Sequence, residues 1–140
     1  NAIGNLAAGR LLHRGVRAWH LLALGLGTMI LCAYAAFGAQ LPATAQFLAV
    51  LTFSLVGGLV PATLFVLALT LAPSPQTTST TIGWMQQCSS LGQFVGPPLV
   101  AWVVNQAGGD WRWTWVATSA LALFGIGLAV QIGRRTRGAG

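Results

Sequence analysis

The sequence contains no lysine and no glutamate, has one acidic residue in all, and carries no charged side chain between Arg17 and Asp110. A soluble domain of this size needs charged side chains spread over its surface, so this gap excludes a fold built for water. All seven basic residues are arginines outside the gap: Arg10, Arg14 and Arg17 before it, and Arg112, Arg134, Arg135 and Arg137 after it. At the centre of a bilayer an arginine costs about +2.5 to +3.5 kcal/mol on the insertion scale. Arginines held outside long apolar runs are what a membrane-embedded chain requires.

Other absences narrow the chemistry. Without lysine there is no phosphate-cradling glycine-rich loop ending in Lys-Ser or Lys-Thr. A single aspartate excludes a paired-carboxylate protease, and His13 and His20 lie at or before the inner end of a span, too shallow for a Ser–His dyad. The chain does not read as an enzyme. Two cysteines, Cys32 and Cys88, lie inside apolar runs with no Cys-x-x-Cys or His/Cys spacing, so free buried thiols are expected, with no metal, disulfide framework or cofactor. The formal charge of +6 does not point to nucleic acid either, because no basic stripe interleaves with the apolar body.

What is present is hydrophobic: 55% of 140 residues, against 6% charged, with a mean hydropathy of +0.72. Crossing roughly 30 Å of hydrocarbon takes about twenty apolar residues as a helix. The apolar region, 19–133, divides into four runs of that size, at about 19–38, 46–72, 81–104 and 111–132. Residues 39–44, Pro73-Ser74-Pro75 with a hydroxyl-rich capping loop at 76–79, and residues 105–110 separate them. The expected fold is all-α, a polytopic transmembrane helical bundle with four complete spans. An even number of spans puts both arginine clusters on one side, and the positive-inside rule makes that side cytoplasmic. Residues 10–17 and the basic tail 134–140 are therefore expected in the cytoplasm of a cell whose plasma membrane, a bacterial inner membrane, holds the chain. Residues 1–9 are apolar but too few to cross. Together with residues 10–18 they read as the end of a preceding span and its basic loop, in a piece of a longer protein.

The third run is the most informative. On a wheel of 100° per residue, Gly83, Gln86, Ser90, Gln93 and Pro97 fall within about 80° of one another, with Gln87, Ser89 and Gly96 at the margins. Trp84, Cys88, Leu91, Val95, Leu99 and Trp102 lie opposite. Polar side chains at membrane depth point into a bundle, where they bond across helices or meet substrate. This makes Gln86, Gln87, Ser90 and Gln93 candidate substrate ligands, with Ser54 and Phe65 of the second run facing them. In the same run Gly96, Pro97 and Pro98 are expected to interrupt the helix, because proline has no N–H to give the carbonyls of Gln93 and Phe94. Pro61, with Gly57 and Gly58, is expected to do the same to the second run. Both are candidate hinges.

Two stretches resemble the major facilitator superfamily of secondary transporters, in the last third of its twelve-helix fold. Residues Gly9-Arg10-Leu11-Leu12-His13-Arg14-Gly15-Val16-Arg17 are similar to the Gly-x-Leu-x-Asp-Arg-x-Gly-Arg-Arg signature of the family's cytoplasmic loops, in its C-terminal copy. Arg10, Arg14 and Arg17 match the basic positions, which the resemblance ties to gating. His13 stands where the acid is expected and one residue before Gly15 is lacking, so the acid's role does not carry over. The second stretch runs from Gly83-Trp84-Met85-Gln86-Gln87 through Gly96-Pro97-Pro98 to Gly109-Asp110-Trp111, and is similar to the eleventh helix and its external turn.

The resemblance implies that residues 1–9 end helix eight and that the four runs are helices nine to twelve, part of the C-terminal half. It further implies alternating access between two six-helix halves around a central site, with the N-terminal half outside this chain. The expected function is transmembrane transport of a small solute, in a lipid bilayer, together with that missing half. Neutral glutamines and serines suit sugars, drugs or organic anions equally. The alternative is a four-helix structural or assembly subunit with no transport of its own. A complete four-span exporter of the small multidrug-resistance type would need a glutamate in its first span, and the chain has none.

Overall fold

The computed structural model describes residues 2–137, and among them there are helices and turns and no strand. Helix α1 spans Ala2–His13, α2 Ala18–Ala33, α3 Ala43–Gly57, α4 Leu59–Leu71, α5 Thr78–Gln106 and α6 Thr114–Arg137. Residues 138–140 of the expected basic tail lie outside the described residues. Gly15 turns the chain between α1 and α2 at φ +85°, and Gly108 and Gly109 turn it before α6 at φ +70° and +85°. These are left-handed conformations that a β-carbon disfavours, which accounts for glycine at each.

Helix α2 is the centre of the bundle and α6 lies along it in the opposite direction. The contacts that establish this are made where the chain has no side chain to interpose. A β-carbon on Gly133 would come within 2.7 Å of the Trp19 ring, one on Gly125 within 3.0 Å of Leu26, and one on Gly38 within 2.9 Å of Trp115. The start of α2 thus meets the end of α6, and the reverse. Close approach at small residues is how helices associate where lipid removes the hydrophobic drive between them. Buried Leu21, Leu22, Cys32 and Ala33 of α2, with Ala129 of α6, form the packed core. Helix α3 has no buried residue and α5 has only Val104, so both lie at the margin.

Three segments are long and apolar enough to cross a membrane: Ala18–Gly38, Ala43–Leu71 and Trp111–Arg135. Helix α5, at 29 residues, reaches about 43 Å at 1.5 Å per residue, but its glutamines, serines and threonines keep it out of that apolar set. Exposed side chains such as Phe47, Leu51, Phe94, Leu123 and Phe124 would aggregate in water. Such a surface is covered by acyl chains or by further helices.

The runs expected from the sequence differ from the helices in instructive ways. The first ends in a π-helical turn, Tyr34–Gly38, closed by Ala39 N–H donating to the Tyr34 carbonyl at 2.8 Å. The Tyr34 ring meets Trp115 edge-on, with centroids 5.1 Å apart. The second run is broken into α3 and α4 at buried Gly58, three residues before Pro61. That is where a missing proline N–H acts, on the turn preceding the ring. The third run is not interrupted: α5 continues through Pro97 and Pro98. Proline's fixed φ of about −65° is a helical value, and the helix accommodates two lost bonds without ending. The hydroxyls close the short turn Pro75–Thr77 and do not cap α5 itself: Ser74 N–H donates to Thr77 Oγ1 at 3.1 Å, while Thr77, which precedes α5, makes no side-chain cap bond to it. Cys32 is buried as expected, but Cys88 is exposed, because it lies on the outer face of a marginal helix.

Candidate solute cleft

Helices α1, α2, α4 and α5 enclose a cleft of about 630 Å³. Its depth follows from the helices that line it. Gln86 and Gln93 sit in the middle of α5, and Gly57 to Val66 in the middle of the α3–α4 segment. The cleft therefore lies at half the height of the bundle. One wall is apolar, with Leu26 and Met29 of α2, Val60, Leu64 and Phe65 of α4 and Met85 of α5. The polar groups are Asn5 of α1 and Gln86, Ser89 and Gln93 of α5. No ionisable side chain lines it among the described residues.

Among the sequence candidates, Gln86, Gln93 and Phe65 line the cleft, as do Gly57 and Pro61 from the expected hinge. Gln87, Ser90 and Ser54 do not, although all six are exposed alike. Ser89 takes the place of Ser90, and the lining face is rotated by roughly 60° from the wheel's polar centre, at 100° per residue. The wheel groups polar residues with one another and carries no information on which side α4 packs. Gly96, Pro97 and Pro98 lie nearly a full turn beyond Gln93, outside the lining. Asn5 was missed as well. Its signal was a lone amide in the apolar stretch 2–8, which was read only as the end of a span.

The α5 polar groups are partly organised already. Gln93 Nε2 donates to Ser89 Oγ at 3.3 Å, one helical turn away, which holds the Gln93 amide along the helix and leaves its carbonyl and the Ser89 hydroxyl hydrogen available. The amides of Gln86 and Asn5 have no hydrogen-bond partner among the described residues. Both residues are exposed in this chain, so neither amide is cut off from water here. At mid-bundle height such groups are stabilised by water or by a ligand with complementary donors and acceptors.

A second feature lies at one end of the bundle. Arg112 binds Asp110 through a fork, with Nε at 3.1 and 3.0 Å from the two carboxylate oxygens and Nη2 at 2.8 Å, while its backbone N–H adds a bond of 2.9 Å. The guanidinium hydrogen bonds, and then the backbone one, hold the Asp110 carboxyl below the usual carboxylate range. Gly38 borders the same recess as Asp110 and Arg112, so the α2–α3 turn and the α5–α6 turn share one end. Arg10, Arg14 and Arg17 lie at the other end with Arg134 and Arg135, since Gly133 abuts Trp19.

A bundle of long apolar helices around a mid-height cleft, with basic side chains collected at one end, is a multi-pass membrane protein of the transporter class. The family model described as Major Facilitator Superfamily matches residues 1–138, and the chain belongs to that superfamily of membrane transporters. No curated protein and no solved structure matches the chain.

Proposed function

We propose that the chain is the C-terminal part of an alternating-access secondary transporter, in which α2, α3–α4, α5 and α6 make four crossings and the cleft holds a small solute at mid-membrane. The observation that carries this is an uncharged cleft whose lining combines the amides of Asn5, Gln86 and Gln93 and the hydroxyl of Ser89 with methionine, leucine and phenylalanine side chains. Such a lining suits a neutral, amphipathic organic solute: carbonyls or hydroxyls meet Asn5, Gln86, Ser89 and Gln93, and the apolar body lies against Met29 and Phe65. Helices outside this chain, in the N-terminal half of the same transporter, supply the opposing wall. Any proton- or ion-coupling carboxylate belongs to the part of the transporter outside this chain, because Asp110 does not line the cleft and is already paired with Arg112.

The family's positive-inside pattern supports cytoplasmic placement of residues 10–17 and 134–140 in a plasma membrane. The exposed Arg10, Arg14 and Arg17 then act in gating at that face. The α3–α4 break at Gly57, Gly58 and Pro61, beside the cleft, is the hinge best supported. Gly96, Pro97 and Pro98, which leave the carbonyls of Gln93 and Phe94 without their helical partners, allow α5 to flex beyond it.

The test is uptake by the complete transporter in proteoliposomes, using a panel of radiolabelled neutral amphipathic compounds. For a solute that the wild type concentrates, Gln86→Leu with Gln93→Leu should raise KM or lower kcat by about 5- to 150-fold, as loss of two net hydrogen bonds of about 0.5–1.5 kcal/mol each implies. Unchanged affinity and rate would remove these residues from the solute path.

A further inference from the structure

We propose that the end of the bundle where α1 turns into α2 and α6 terminates is a seat for the headgroup of one anionic phospholipid. Five arginines converge there from segments far apart in sequence: Arg10 and Arg14 at the end of α1, Arg17 at the start of α2, and Arg134 and Arg135 on α6. All five are exposed. The chain's only acidic side chain, Asp110, lies at the opposite end in its bond to Arg112. Nothing acidic in this chain neutralises the cluster, which leaves it open to an anionic partner.

The convergence is built. Gly133 lets the last turns of α6 lie directly against Trp19, since a β-carbon there would come within 2.7 Å of the indole. Gly15, at φ +85°, turns the chain back so that Arg17 precedes α2 instead of extending α1. Trp19 is half-buried between the two groups of arginines and stacks on His20 with centroids 3.6 Å apart. An indole at the boundary between helix and water marks the headgroup level of a bilayer. Arginines collected at that level complement the charge of a phosphodiester, and a guanidinium can bond two of its oxygens through a fork. A lipid also fits the rest of the surroundings, because exposed apolar side chains of the adjoining helices, such as Ile3, Leu6 and Leu128, lie where acyl chains run. A soluble phosphate would gain nothing from them.

The experiment is native mass spectrometry of the complete transporter, purified and incubated with phosphatidylglycerol or phosphatidylcholine of the same acyl chains. The expected result is one phosphatidylglycerol retained per protein in clear preference to phosphatidylcholine. Arg134→Gln with Arg135→Gln should weaken that retention by roughly twenty-five-fold, at about fivefold per arginine near a membrane surface. Both side chains are exposed, so their replacement removes no packing and should change stability little. Gly133→Val keeps every charge but lifts α6 from Trp19, and should also lose retention. Equal retention of the two lipids, or no loss in the double arginine variant, overturns the proposal. Retention of many anionic lipids with no preferred stoichiometry assigns the effect to a diffuse field and overturns the seat. Full displacement of the lipid by inorganic phosphate assigns the site to a free anion and overturns it as well.

Discussion

Replacing Gly4 with alanine adds one methyl group at a place where the neighbouring atoms cannot turn aside. The new β-carbon would overlap the Leu55 carbonyl oxygen and come within 3.1 Å of Gly58 Cα. Both are backbone atoms at the junction of α3 and α4, so relief requires α1 to move off that junction. Gly9, in the same helix, has nothing within 4 Å of the equivalent position. Alanine gains about 0.5–1 kcal/mol over glycine in a helix interior, and this gain is common to Gly4→Ala and Gly9→Ala. The difference between the two variants therefore isolates the overlap, about 1–3 kcal/mol for an extra methyl forced into packed structure. At about 2–4 °C per kcal/mol, the complete transporter in detergent should melt roughly 2–12 °C lower with Gly4→Ala than with Gly9→Ala, and Gly9→Ala should equal or exceed the wild type. Thermal unfolding followed by size-exclusion chromatography reads this directly. Equal melting temperatures for the two variants would refute the close packing of α1 on the α3–α4 break, and with it the position of the Asn5 wall of the cleft.

Two further expectations rest on other parts of the fold. Asp110 has its carboxyl pulled below its ordinary value of 3.8 by Arg112, so its contribution to stability is complete above that ordinary value and is lost only as pH falls through the lowered one. The melting temperature of the wild type should exceed that of Asp110→Asn by a constant margin from pH 8 to 5, and the margin should vanish at strongly acid pH; a margin that is already gone at pH 5 would contradict the fork. Cys88 should react with N-ethylmaleimide in the intact transporter while buried Cys32 stays unlabelled until the protein unfolds, as peptide mapping would detect, and the reverse order would place α5 with its outer face inward.

The membrane class, the helical architecture and the collection of arginines were legible in the sequence because each rests on a one-dimensional constraint. Charge cannot be placed at membrane depth without cost, and a helix must be about twenty residues long to cross. Gln86 and Gln93 were legible for a similar reason: their spacing of seven returns them to one helical face. Ser90 and Ser89 lie about 100° apart on the helical wheel, and only the position of α4 puts Ser89 on the lining side and Ser90 off it. Pro61 and the pair Pro97 and Pro98 carry the same local signal, a lost hydrogen bond, yet only the first coincides with a break. Near Pro61 the chain also has Gly57 and Gly58 and the pressure of α1 at Gly4, whereas α5 at Pro97 is exposed and meets no packed helix that would force it to bend.

By itself, then, the sequence determined that this protein lives in lipid, that it is helical, and which residues are too polar to face acyl chains, since these follow from hydration cost and helical periodicity. The tertiary structure decided which polar residues share a cleft, adding Asn5 and Ser89 and leaving out Ser54, Gln87 and Ser90. It also brought Arg17 and Arg134 to one end through the contact of Gly133 with Trp19. Those outcomes depend on how closely two helices approach and how each is rotated about its axis, quantities set by packing between residues distant in the chain.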